Sequence, residues 1–64
     1  MALIIVRDVK QDRDRIINTD AIFHCFEHEG GVRINYAEAS GRDSCTVSGT
    51  LAEFAKSVGA KRVS

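Results

Sequence analysis

Ala21-Ile22-Phe23-His24-Cys25-Phe26-Glu27-His28-Glu29-Gly30-Gly31-Val32-Arg33-Ile34-Asn35-Tyr36-Ala37 is the stretch that decides the fold. Two runs, 21–28 and 32–37, flank a glycine pair, the pattern of a β-hairpin. With a four-residue loop, 28–31, Glu27 faces Val32, Cys25 faces Ile34 and Phe23 faces Tyr36. A two-residue loop keeps the same parity, whereas a three-residue loop reverses it. One face is then Phe23, Cys25, Val32, Ile34 and Tyr36, a predicted core. The other carries His24, Phe26, His28, Arg33, Asn35 and Ala37, and is wet apart from Phe26.

Working outward, the upstream segment 2–9 (Ala-Leu-Ile-Ile-Val-Arg-Asp-Val) is β-branched and reads as a first strand. Leu3, Ile5 and Val9 share one parity, and Ala2, Ile4 and Val6 the other. With both faces apolar, this strand is central or covered by a partner. Lys10 to Asp14 is a mixed-charge loop, and Arg15 to Asn18 a short second strand. Downstream, a turn at Ala39-Ser40-Gly41-Arg42 leads to a strand at Asp43–Ser48. There Cys45 and Val47 alternate with Ser44, Thr46 and Ser48. Thr50-Leu51-Ala52-Glu53 is a capping box, and Leu51, Phe54, Ala55 and Val58 follow as one apolar stripe. Lys56 near the end and Gly59 beyond it suit a helix stop. The expected architecture is a single α+β domain spanning 1–64. An antiparallel sheet of four to five strands carries one C-terminal helix packed on one face.

Composition narrows the function classes. Of 64 residues, nine are basic and nine acidic, so zero net charge argues against a strongly basic nucleic-acid binder. Only nineteen side chains are large and apolar, so the core must be fully used or extended by association. The longest strongly apolar run, Met1 to Val6, is far below the roughly 20 residues of a spanning helix. The start also lacks the basic segment and long apolar stretch of a signal peptide. A cytoplasmic protein with Cys25 and Cys45 reduced is therefore expected.

The chemistry-bearing residues point away from catalysis. His24, Cys25, His28 and Cys45 are the one combination that suggests a metal, but the histidines and cysteines belong to opposite faces. The same alternation separates Cys25 from a base at His24. Acid–base work by Glu27, Glu29 or Glu38 needs a desolvated pocket that so small a domain rarely holds. Gly30-Gly31 lacks the strand-to-helix context and lysine of a phosphate loop. No catalytic residue, metal or cofactor is expected, and no small-molecule substrate.

Two surface readings remain. For nucleic acid, Arg33 could join Phe26 and the histidines, Arg7, Lys10, Arg13 and Arg15 form a second patch, and Lys61-Arg62 a third. Each of the first two is interleaved with acid, which weakens phosphate binding. For protein contacts, the doubly apolar first strand and Phe26 on a polar face invite pairing. The surfaces expected to carry it are Ile4 and Val6 at the first strand's edge, and His24, Phe26, His28 and Arg33.

The run Ile16-Ile17-Asn18-Thr19-Asp20-Ala21-Ile22, through Gly41, to Thr46-Val47-Ser48-Gly49-Thr50-Leu51-Ala52-Glu53-Phe54 resembles the β-rich half of LytTR-type DNA-binding domains. Those share the order Asp-x-Ile, hairpin, strand and helix. It is also similar to FlbD-type small flagellar proteins, which are nearer in length. About two-thirds of the chain is covered. A LytTR-type domain would continue past Ser64 into strands that contribute to DNA contact, and Gln11–Arg15 is longer and more charged than the flagellar turn. No DNA-contacting residue transfers position by position. The expectation is a non-enzymatic binding module (an adaptor, regulator or inhibitor) working through protein contacts, as a homodimer. The alternative is a small nucleic-acid-binding transcriptional regulator.

Overall fold

The computed structural model describes residues 2–60. Strand β1 (Leu3–Asp8) runs antiparallel to β2 (Arg13–Asn18), with Leu3 opposite Asn18, Ile5 opposite Ile16 and Arg7 opposite Asp14. The connection is tighter than the expected Lys10–Asp14 loop, because Arg13 and Asp14 already belong to β2. Asp12 makes this possible by adopting φ 56°, a left-handed conformation that aspartate tolerates better than most residues. A single 3₁₀ turn (Thr19–Ala21) follows, opened by Asn18, whose side-chain oxygen accepts from the Asp20 N–H. Ala21 thus precedes the third strand rather than starting it.

Strands β3 (Ile22–His28) and β4 (Gly31–Glu38) are the hairpin, closed by the two-residue loop Glu29-Gly30. Both loop residues have positive φ, 51° and 80°, as a type I′ turn requires. Glu27 faces Val32 and Cys25 faces Ile34, as expected. The expected Phe23–Tyr36 pair does not form. A bulge puts Ile22 opposite Tyr36 and His24 opposite Asn35, so Phe23 leaves the ladder. It is 54% exposed rather than core, with the Arg42 guanidinium 5.1 Å from its ring centre. The Asn35 amide donates to the His24 carbonyl and ties the bulged backbone down.

Strand β5 (Gly41–Ser48) pairs with β4 along its whole length, from Glu38–Gly41 to Gly31–Ser48. At Gly31 the strands leave no room for a side chain: a Cβ would lie 2.6 Å from the Val47 carbonyl oxygen. The five strands form two antiparallel sheets, β1-β2 and β3-β4-β5, rather than one. Among the described residues one backbone–backbone bond joins their edges, the Val9 N–H donating to the Thr46 carbonyl at 2.8 Å. Between the sheets lie Val6, Ile17, Val32, Ile34, Tyr36 and Cys45, with Ile4, Ile22, Cys25, Val47 and Phe54 packed around them.

Helix α1 (Leu51–Val58) begins with the predicted capping box. The Glu53 N–H donates to Thr50 Oγ1 at 3.2 Å, and the Thr50 N–H donates to Glu53 Oε1 at 2.9 Å. Gly59 closes it in the left-handed conformation. The stripe faces the sheet only in part: Phe54, Ala55 and Val58 are half-buried, while Leu51 is exposed. A second tie comes from β3, where Glu27 Oε2 accepts from the Leu51 N–H at 2.9 Å. No helix among the described residues is long and apolar enough to cross a membrane.

Candidate interaction surface

The first strand settles its two apolar parities through a charge. Asp8 shares the parity of Ile4 and Val6, and all three point between the sheets; Val6 is 9% exposed and Asp8 1%. A buried carboxylate is costly unless its oxygens are fully bonded. Here Oδ1 accepts from the N–H groups of Lys10 and Gln11 at 3.1 and 3.2 Å, and Oδ2 from Arg15 Nε at 2.9 Å. Burial pushes the Asp8 pKa up. The backbone amides of Gln11, Lys10 and Thr46, with the Arg15 charge, outweigh it and hold the carboxyl below its ordinary value. Arg15 extends the network, donating through Nη1 to Tyr36 Oη at 2.9 Å and Asp43 Oδ2 at 3.3 Å. This side chain fastens β2 to β4 and β5.

With the even positions turned inward, Leu3 and Ile5 point to solvent on the other side of the ribbon, and Ile16 lies across from Ile5. They are 68%, 72% and 66% exposed, and Val9, on the same face, is 48%. Leu3, Ile5 and Ile16 together make one contiguous exposed aliphatic patch. At the turn end the patch is bounded by charge. Arg7 sits beside Asp12 at 2.6 Å and Asp14 at 3.4 Å, all three side chains more than half exposed.

This is a correction to the expected surface. Val6 belongs to the core and Ile4 is half-buried, so neither is exposed as expected; the exposed apolar side chains of the ribbon are Leu3, Ile5 and Ile16. The sequence carried one usable signal, Asp8 immediately ahead of the turn 9–12, where its carboxylate can cap free backbone amides two and three residues on.

The second expected surface lies where the alternation placed it. Along the outer side of β3, Phe26 is flanked by His24 and His28, with ring centroids 5.3 and 6.1 Å away, and Arg33 is its cross-strand neighbour. Phe26 is 36% exposed, and Arg33 Nη2 donates to Ser44 Oγ at 3.3 Å. The basic patch proposed for nucleic acid is dispersed. Arg15 is locked between the sheets, Arg7 is paired with Asp12 and Asp14, and Lys10 Nζ lies 3.4 Å from Glu29. Arg13 is exposed at the start of β2, and Lys61 and Arg62 lie outside the described residues.

Cys25 and Cys45 both flank Ile34, one on each side of β4. Two strand spacings, roughly 10 Å, separate them, which is too far for a disulfide. Burial raises both thiol pKa values, that of Cys45 to about 11, with the nearby Asp8 carboxylate adding to it. Such thiols stay protonated and poorly nucleophilic at neutral pH. Among the described residues, no three His, Cys, Asp or Glu side chains converge as metal ligands. An open groove of about 630 Å³ lies where β1 and β5 diverge beyond the Val9–Thr46 bond, lined by both strands and by Phe54 of the helix. No family model matches the chain, and no curated protein or solved structure matches it significantly.

Proposed function

We propose that this chain is a non-enzymatic binding module that works through protein contacts, with the outer face of the β1–β2 ribbon as its contact surface. The observation that carries the reading is the cluster of Leu3, Ile5 and Ile16, exposed together on a face whose opposite side fills the core. Leaving such side chains in water forgoes roughly 1.5–3 kcal/mol apiece, which a partner surface recovers. The chemistry elsewhere supports it: the thiols are held protonated, and the most buried of the ion-paired charges, Asp8 and Arg15, join the sheets. Reduced thiols on separate strands suit a cytoplasmic setting. The nucleic-acid alternative draws no comparable support, since Arg7, Lys10 and Arg15 each already face a carboxylate.

The test is affinity capture from the source cell's extract with the wild-type chain and with Ile5→Asp. Ile5 points to solvent, so circular dichroism of the variant should match wild type. Partners retained by the wild type and lost with Ile5→Asp support the reading. Identical captures by both chains would remove this face as the contact surface.

A further inference from the structure

We propose that the occupant of the β1–β2 face is a second copy of the same chain, packed face to face about a two-fold axis running along the strands between β1 and β2. This rests on the reading above and names the partner. The warrant is the ribbon's own cross-strand ladder. Ile5 stands opposite Ile16, apolar against apolar, and Arg7 opposite Asp14, positive against negative. A two-fold axis parallel to the strands lays β1 over the partner's β2 and keeps each residue at its height along the strand. Ile5 then meets Ile16 of the second copy, and Arg7 meets its Asp14. At the charged end the two Arg7 guanidiniums and the two Asp14 carboxylates alternate around a square, each arginine also keeping its own Asp12 at 2.6 Å, so each arginine has opposite neighbours within and between chains.

The other face-to-face symmetry, with the axis across the strands, sets Arg7 on the second copy's Leu3 and Asp14 on its Asn18. That strands charges against an apolar side chain and is disfavoured. Sheets stacked in the first manner stay within about 30° of parallel, the ordinary angle for two twisted sheets. The ribbon face is only roughly 20 Å by 10 Å. That is less than the about 800 Å² each partner of a stable complex contributes, so the dimer should be concentration-dependent rather than permanent.

Sedimentation velocity from about 1 µM to about 1 mM, the span over which a small interface dissociates, tests the dimer. A monomer–dimer equilibrium is expected. A strict monomer at the top of that range overturns this proposal, while Ile5-dependent capture of a different protein would leave the contact-surface reading standing. The symmetry is tested by charge exchange. Arg7→Asp alone and Asp14→Arg alone should each weaken dimerisation by about tenfold, since each creates like-charge contacts twice per dimer. Mixing the two variants should restore association, because only the mixed pair has opposite charges across the interface. A mixture that stays as weak as its components overturns the geometry. Crosslinking gives a check that does not depend on charge. Ile5→Cys mixed with Ile16→Cys should be joined by a short bifunctional thiol crosslinker, which spans the about 10 Å between stacked sheets, faster than either alone. Faster self-crosslinking of Ile5→Cys would instead establish the axis across the strands.

Discussion

At the scale of single residues, the fold depends on a few side chains that have no exposure at all. Val32 and Ile34 are fully buried in β4, the strand with a neighbour on each side. Ile34→Ala removes packing at the centre and should cost about 2–5 kcal/mol. A domain of this size holds only roughly 3–10 kcal/mol in total, so the variant should melt tens of degrees lower or fail to fold. Phe26→Ser is the matched control: its ring is flanked by His24 and His28 outside the core, and its loss should shift the thermal midpoint by only a few degrees. A calorimetric scan of the two variants decides between them. If Phe26→Ser proves as damaging as Ile34→Ala, the outer face of β3 is part of the core. The hairpin's inner side was legible residue by residue from 25 to 34, because the turn fixes parity and the alternation is clean. Phe23 was not. A bulge adds one residue to a strand without changing its composition, and Ile22 fills the place opposite Tyr36 as readily as phenylalanine would.

At the scale of elements, strands β3 to β5 and the helix could be placed from alternation and capping, but the facing of β1 could not. Both of its parities are apolar, and the side that carries an aspartate reads as the wet one. Asp8 goes inward because two turn amides and Arg15 meet it there, and Arg15 arrives from a different strand. No pattern local to the strand encodes that partnership. It has a pH signature. The Asp8 carboxyl is held below its unfolded value, so its contribution to stability is complete above about pH 4 and is lost as pH falls through the depressed native value. Asp8→Asn removes the charge facing Arg15 and should cost about 3 kcal/mol at neutral pH. Denaturant unfolding from neutral to acid pH should show a shallower acid limb in the variant, with Asp43, also depressed, supplying the remainder. An unchanged acid limb would mean that Asp8 does not titrate with unfolding.

At the scale of the whole molecule, few large apolar side chains are available to two thin sheets and a helix, and not all of them are buried. The inner surfaces are filled, while one ribbon keeps aliphatic side chains outside. The class of fold followed from composition and order; the division into two sheets did not, because it depends on where β1 stops following β5. They share the Val9–Thr46 bond, and then the groove opens between them.

The ribbon is thus held at its turn end by the Val9–Thr46 bond and the Asp8–Arg15 network, and at its other end by the chain itself through Thr19–Ala21. Between those two ends only side-chain packing fixes the ribbon, since among the described residues no strand ladder crosses from one sheet to the other. The cheapest excursion from the native state is therefore a lifting of β1 and β2 together, hinged at the covalent link Thr19–Ala21, while β3 to β5 remain paired. Amide hydrogen exchange should divide the chain accordingly, with β4 protected to the level of global unfolding and the β1–β2 amides exchanging at least about tenfold faster. Equal protection in both sheets would mean that the molecule opens as one body.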